Sequence, residues 1–152
     1  GMPETDVRKL RETGLLHDIG KIALTRSASL TRGPRTKEEI GEFQKHPVVG
    51  FRILNLFDDT LDIADGVLNH HENWDGSGYP RGIRGEEIPV EARIVRVVES
   101  FVSMTDAGSE YALSPEEALS RIRKRAGTTF DPGIVEIVAR VVSARSDPPG
   151  NA

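Results

Sequence analysis

Apolar residues recur about every three to four positions along most of the chain, and polar or glycine-rich stretches separate the segments that carry them. This spacing gives each segment one apolar face, as in an amphipathic helix. The chain shows no internal repeat and no βαβ pattern. The spacing predicts helices over residues 4–18, 36–45, 47–56, 58–71 and 89–104, and two more that begin at Ser114 and Asp131.

Signals that start helices support several of these boundaries. Thr36 followed by Glu39 has the pattern of a capping box. Ser114 is a favourable N-cap residue, and a proline follows it at the first helical position. Asp58 or Asp59 is predicted to cap the helix that ends near the two adjacent histidines.

The remaining segments lack helical periodicity. Predicted loops cover residues 25–36, which have a basic character, residues 73–89, which are rich in glycine and proline, and residues 106–113. The tail over residues 146–152 is predicted to be disordered. We therefore expect one all-α domain over residues 4–145, with the helix after Pro89 as its central and most buried element.

Composition narrows the class of protein. The chain has 152 residues, enough for one domain with an apolar core. Its formal net charge of -4 argues against a nucleic-acid polymer as partner, because such binders usually carry a basic face. With no cysteines, the chain must bind any metal through imidazole and carboxylate groups. No apolar run approaches the ~18 residues of a membrane span, and we expect a cytoplasmic protein.

The chain has only four histidines, and each lies near the end of a predicted helix. His17 precedes Asp18, His46 follows a lysine and precedes a proline, and His70 and His71 are adjacent. A lone His–Asp pair is more often structural than metal-binding. Four histidines at helix ends, two of them beside acids, instead indicate a site for zinc, iron, manganese or nickel.

The spacing of these residues favours two metals over one. Neighbouring side chains on a helix diverge by about 100°, so one ion is poorly served by both members of an adjacent pair. Two ions roughly 3.5–4 Å apart can hold a hydroxide between them, with Asp18 as a bridging ligand, and can stabilise both oxygens of a phosphoryl displacement. Lys21, one turn beyond, is placed to neutralise a bound phosphate.

Glu99 is the unusual residue of the most apolar predicted helix. A buried carboxylate needs a partner. A metal ion would be one such partner, and the alternative is an arginine on the same helix, Arg93 or Arg96. The sequence leaves both possibilities open.

These motifs resemble the HD-GYP family of HD-superfamily metal-dependent phosphohydrolases, over roughly residues 10–142. The resemblance is carried by residues 17–21, by His46 with Pro47 and Gly50, by the run from His70 to Pro80, by Gly82 and Gly85, and by residues 88–89, 92–94 and 127–132. It implies an HD-domain bundle of about five to seven helices with a long active-site loop.

The same resemblance implies a site and an activity. Family members carry two or three metals and typically hydrolyse cyclic di-GMP, so we expect two divalent ions and a phosphodiesterase here. The implied metal ligands are His17, Asp18, His46, His70, His71 and Glu99. The implied catalytic residues are Asp18 and Lys21, and the implied substrate-binding residues are Lys21, Asp75, Gly78, Tyr79 and Pro80.

The chain departs from the family pattern in three places. The family usually has an earlier helix with a further metal-binding histidine, and we expect this chain to lack it. Glu99 occupies the position of a family aspartate, and its extra methylene moves the carboxylate by about one bond length. Residues 106–111 contain no basic side chain, whereas the family often holds substrate phosphates with basic residues in this region.

Three functions therefore remain open. The first is hydrolysis of a cyclic dinucleotide, with the hydroxide held between two metals as the nucleophile. The second is a catalytically degenerate module that binds metal or nucleotide and contacts a signalling partner such as a diguanylate cyclase domain, with or without oligomerisation. The third is hydrolysis of another nucleotide.

Overall fold

The computed structural model describes residues 2–25 and 36–146, and it contains no β-strand within these ranges. The α-helices are α1 Glu4–Leu16, α2 Lys37–Phe43, α3 His46–Leu54, α4 Leu61–Asn69, α5 Val90–Thr105, α6 Pro115–Arg123 and α7 Pro132–Ser146. Short 3₁₀ turns cover Ile19–Ala23, Asp58–Thr60 and Gly85–Glu87. The prediction of an all-α fold is confirmed.

The predicted helix starts are confirmed at α2 and α6. The Thr36 hydroxyl accepts a hydrogen bond from the Glu39 amide at 3.2 Å, and the Glu39 carboxylate accepts from the Thr36 amide at 2.9 Å. Ser114 forms the same reciprocal pair with Glu117 at the start of α6. These bonds satisfy amides that the first turn of a helix leaves without partners.

The predicted cap of α4 is wrong. Asp58 and Asp59 lie in a 3₁₀ turn, and Thr60 occupies the N-cap position without a side-chain bond to the helix. The Thr60 hydroxyl instead donates to the carbonyl of Leu54 at 2.6 Å. This bond ties the start of α4 to the end of α3, so the connection is fixed by a tertiary contact that the local pattern does not reveal.

Two predicted segments fall mostly outside the described residues. The polar loop over residues 25–36 is described only at its two ends. Residue 146, the first of the predicted disordered tail, is the last residue of α7, and residues 147–152 are not described.

Two apolar clusters form the core. The first joins α3 and α4, with Leu16 and Ile19 packed against it, and its buried members are Leu54, Ile63, Ala64 and Val67. The second joins α5, α6 and α7, and its buried members are Val97, Ile122, Phe130, Ile134 and Val135.

Helix α5 connects the two clusters. It contacts α1 and α4 on one side and α6 and α7 on the other. Its predicted central place is confirmed, but it is not the most buried helix, because Val98 and Val102 are 41% and 57% exposed. None of the described helices combines the length and hydropathy needed to cross a bilayer.

The turn after α1 lies unusually close to α3, and a glycine allows this approach. A Cβ atom on Gly20 would lie 2.0 Å from the His46 carbonyl oxygen and 2.6 Å from the Gly50 amide nitrogen. Both of these atoms belong to the backbone, so neither can move aside cheaply. Gly20 therefore sets the distance between the first His–Asp motif and the second histidine.

We predict that Gly20→Ala lowers the free energy of unfolding by about 2–4 kcal/mol, because the backbones of the turn and of α3 must separate. Chemical denaturation would measure the change. Gly41→Ala is the matched control, since no described residue lies within 4 Å of a Cβ at this position in α2. The control should raise stability by about 0.5–1 kcal/mol through helix propensity. Equal stability of Gly20→Ala and the wild type would contradict the close approach.

Candidate metal centre

Six side chains predicted to bind metal come from four helices and meet at one place. Their positions are the C-terminal end of α1 (His17 and Asp18), the first residue of α3 (His46), the C-terminal end of α4 (His70 and His71) and the middle of α5 (Glu99). His46 and His70 are fully buried, and His71 is 7% exposed. The fold therefore buries several ionisable groups together, which is costly unless they share a partner.

Asp18 lies between two of the histidines. Its Oδ1 atom is 3.4 Å from His46 Nε2, and its Oδ2 atom is 3.4 Å from His17 Nε2. His17 and Asp18 thus converge, rather than diverging as expected of helical neighbours. The reason is local: α1 ends at Leu16, and Asp18 has non-helical dihedrals, φ -98° and ψ 5°.

Backbone carbonyls orient three of the four imidazoles. In His17, His46 and His70 the Nδ1 atom lies 2.8, 2.6 and 2.6 Å from the carbonyl oxygen three residues earlier. A carbonyl only accepts hydrogen bonds, so Nδ1 carries the proton in each ring. In His46 and His70, Nε2 is then left with its lone pair facing the cluster, which is the arrangement that metal-binding histidines adopt. His17 Nε2 instead faces the Asp18 carboxylate, and their hydrogen bond raises the pKa of the His17 ring.

The Nε2 atoms of His46 and His70 are within hydrogen-bond distance, but neither atom carries a proton that could form the bond. His46 Nε2 and His70 Nε2 are 3.2 Å apart. Burial lowers the pKa of both rings, that of His70 to about 3, so both are neutral at pH 7. Two lone pairs therefore face each other inside the protein. Two nitrogens bound to one ion at about 2.1 Å would lie about 3.0–3.4 Å apart, so a shared cation fits this spacing.

Unpartnered polar atoms support the same interpretation. Asp18 Oδ1, His71 Nε2 and Glu99 Oε2 are buried and have no hydrogen-bond partner among the described residues. Glu99 Oε2 lies 4.0 Å from His71 Nδ1, and burial raises the pKa of the Glu99 carboxyl. Buried polar groups are normally paired, so these atoms mark a site that a cation would complete.

The arginine alternative for Glu99 is not observed. Arg93 forms a 2.8 Å salt bridge with Asp131, and Arg96 donates to the Asn73 side chain at 3.2 Å. Neither arginine forms a salt bridge with Glu99 in the described chain. The carboxylate instead faces the histidines.

Lys21 is also at the cluster. Its Nζ atom donates to Asp18 Oδ2 at 2.6 Å and lies 5.0 Å from the centre of the Phe43 ring. Burial raises the pKa of the Asp18 carboxyl, but its hydrogen bonds with His17 and Lys21 outweigh this effect and hold the pKa well below its usual range. Asp18 is therefore an anion, the form that binds metal.

The loop after His71 folds back over the site. Tyr79 stacks on the His71 ring at 4.9 Å, and its amide lies 3.3 Å from the His71 carbonyl. Gly78 permits this return, because a Cβ there would lie 2.2 Å from the Asn73 amide nitrogen. Of the predicted substrate residues, Pro80 and Asp75 are exposed, and Asp75 accepts hydrogen bonds from the amide and hydroxyl of Ser77.

Glu72 is a structural determinant of the site that the sequence analysis did not single out. It is 2% exposed, and its carboxylate accepts hydrogen bonds from the backbone amides of Arg81 and Gly82 at 2.6–3.1 Å. These bonds hold the return of the loop against the end of α4. The sequence signal that could have identified Glu72 is its position directly after His70 and His71.

Known proteins resemble this chain over most of its length. The family model described as "HD domain" matches residues 1–134. A cyclic di-GMP phosphodiesterase of Thermotoga maritima is 37% identical over 97% of this chain and 41% of its own length. A cyclic di-GMP phosphodiesterase response regulator of Xanthomonas campestris is 36% identical over 92% of this chain and 38% of its own.

Solved structures show the same fold. A cyclic GMP-AMP specific phosphodiesterase of Vibrio cholerae superposes with a TM-score of 0.71 at 25% identity, covering 93% of this chain and 39% of the other. An HD-GYP-type protein of Bdellovibrio bacteriovorus gives a TM-score of 0.73 at 16% identity, covering 93% and 45%.

The chain belongs to the HD-domain family, in its HD-GYP branch. The match to the family model extends over most of the chain, and the run from His70 to Pro80 carries the branch's signature. The chain spans about two fifths of the length of the first curated relatives it matches.

We predict that manganese(II) at about 100 times its Kd stabilises the protein by about 2.7 kcal/mol, which raises Tm by roughly 5–10 °C for a domain of this size. Asp18→Asn should lose most of this shift, because it removes the one carboxylate between two histidines. A thermal-shift titration would measure both.

Asp62→Asn is the control for Asp18→Asn, since Arg8 at the surface is the one salt-bridge partner of Asp62 among the described residues. It should show the full wild-type shift. A manganese shift of equal size in Asp18→Asn and Asp62→Asn would place the ion elsewhere.

Proposed function

We propose that this domain hydrolyses a phosphodiester bond of a cyclic dinucleotide, with cyclic di-GMP as the first substrate to test. The observation that carries the proposal is the convergence of four histidines and two carboxylates with unpartnered atoms facing one another. The curated relatives support it, because they are named as cyclic di-GMP phosphodiesterases and, for another Vibrio cholerae relative, as a 3'3'-cGAMP-specific phosphodiesterase.

We propose two divalent ions of iron, manganese, zinc or nickel as cofactors. Asp18, His17, His46 and His70 would hold these ions, and His71 with Glu99 would supply further donors beside them. Bound ions would supply Lewis acidity toward a phosphoryl oxygen and activate water at neutral pH.

The chain's own residues then bind and orient the substrate. Lys21 neutralises Asp18 in the free protein, and its partly exposed ammonium is placed to move onto a phosphate oxygen. Tyr79, fixed by its stacking on His71, and Gly78 shape the wall beside the histidines. Pro80 and Asp75 lie on the exposed part of the same loop, where a nucleotide base would approach.

The binding-module hypothesis gains no support from the curated relatives described here, since they are named as phosphodiesterases. A diguanylate cyclase partner and an oligomeric state stay predictions from the sequence. Hydrolysis of another nucleotide is separated from the main proposal by a panel of cyclic di-GMP, 3'3'-cGAMP and mononucleotides.

We predict that protein reconstituted anaerobically with iron(II) or manganese(II) binds two ions per chain and converts cyclic di-GMP to linear products. Asp18→Asn should lower kcat/KM by at least about 10³-fold through loss of a metal ligand. Lys21→Gln should lower it by about 10–100-fold through loss of a positive charge at the phosphate. Chromatography of the products and elemental analysis of the metals would measure these effects.

Asp62→Asn again serves as the control and should retain the wild-type rate. Binding of fewer than two ions, or absence of turnover at full metal occupancy, would contradict the proposal. Turnover of a mononucleotide but of neither cyclic dinucleotide would replace both the substrate and the bond cleaved, because a mononucleotide carries a phosphomonoester.

A further inference from the structure

A cationic cavity opens beside the metal centre, between α5 and α6. Its volume is about 540 Å³, within the range of small-ligand sites. Four cationic side chains line it, namely Arg96, Arg121, Lys124 and Arg125, together with a single carboxylate, Glu99. This local excess of positive charge contrasts with the formal net charge of -4 for the chain.

Two of these residues connect the cavity to the histidine cluster. Glu99 lines the cavity and also lies 4.0 Å from His71. The Arg96 guanidinium is half-buried beneath the cavity, 5.9 Å from the centre of the Phe130 ring, and its positive charge contributes, after burial and His70, to the low pKa of His71. A ligand in the cavity would therefore lie directly beside a phosphate bound at the metals.

Three cations at the C-terminal end of α6, which we call the α6 cations, have no salt-bridge partner among the described residues. Arg121 lies in the last turn of α6, Lys124 is its C-cap residue and Arg125 follows the cap. The side chains of Arg121, Lys124 and Arg125 form no hydrogen bond or salt bridge with any described residue, and Arg96 Nε is buried without a partner. By contrast, Arg123 forms a salt bridge with Glu136 of α7 at 3.2 Å. Three like charges at positions i, i+3 and i+4 repel one another, so an anion between them would be stabilised.

A purely structural role for these cations is the competing explanation. Basic residues near the C-terminal end of a helix interact favourably with the helix dipole. Arg123 shares that benefit but points away from the cavity, toward α7. Comparing Arg123 with the three cavity residues therefore separates the two explanations.

We propose that Arg96, Arg121, Lys124 and Arg125 bind the second phosphate of the cyclic dinucleotide, the one that is not cleaved. This inference rests on the proposed function for its ligand. A cyclic dinucleotide carries two phosphates on one small ring, so holding one of them at the metals brings the other to a neighbouring site. Residues 106–111 contain no basic side chain that could hold this phosphate. The cations at the end of α6 would take over that role.

The test compares the triple variant Arg121→Gln/Lys124→Gln/Arg125→Gln with the wild type. We predict that it raises the Kd for a hydrolysis-resistant phosphorothioate analogue of cyclic di-GMP at least tenfold, measured by calorimetry on the metal-loaded protein. In the metal-loaded protein, KM should rise by a similar factor with a much smaller change in kcat. Higher salt should weaken binding of the wild type more than of the variant, because the lost contacts are ionic.

The matched control is Arg123→Gln, which removes a cation from the same end of the same helix. It should leave Kd and KM at the wild-type values, because Arg123 pairs with Glu136 and does not line the cavity. GMP, with one phosphate, is the second probe. It should lose less than threefold in affinity in the triple variant, because one phosphate can remain at the metal end of the site.

Each outcome separates this inference from the proposed function. Unchanged Kd and KM in the triple variant would overturn the anion site and leave hydrolysis standing. Binding of cyclic di-GMP that depends on the α6 cations, without turnover at full metal occupancy, would overturn the proposed function alone. An equal loss for GMP and cyclic di-GMP would overturn the assignment to the second phosphate, and no binding by the wild type would overturn the inference outright.

Discussion

The structure depends on burying several imidazoles with their lone pairs turned toward one another. The Nε2 atoms of His46 and His70 are 3.2 Å apart, and the Nδ1–H group of each ring donates a hydrogen bond to a backbone carbonyl. In water such a contact would relax by rotation of a ring. Here the bond to the carbonyl three residues earlier fixes each ring, so a shared cation is the natural way to satisfy the pair.

Helix ends are the means by which the fold builds this contact. A carbonyl in the last turn of a helix lacks an intrahelical partner, and the imidazole of a residue at the helix end can reach it. His17 and His70 use the ends of α1 and α4 in this way. Gly20 and Gly78 then allow backbones to approach closely enough for the ends to meet. Helix α5 contributes Glu99 and links the site to the second apolar cluster.

Much of the fold could be predicted from the sequence, and so could the set of residues that lie together at the candidate site. Capping patterns at Thr36 and Ser114 are local, and few histidines were available, so the candidates were few. Other features depend on tertiary placement. The convergence of His17 and Asp18 follows from a non-helical conformation at Asp18, and the role of Glu72 follows from a loop returning to it. The cationic cavity forms only where α6 packs against α5, and no local sequence pattern predicts this packing.

The central claim is that His46 and His70 share a metal ion. The most direct test is an anomalous-difference map from crystals of the zinc-loaded protein, recorded at the zinc absorption edge. The account predicts a peak within about 2.0–2.3 Å of both Nε2 atoms, with Asp18 at the same centre. Peaks confined to surface carboxylates, with no density between His46 and His70, would contradict it.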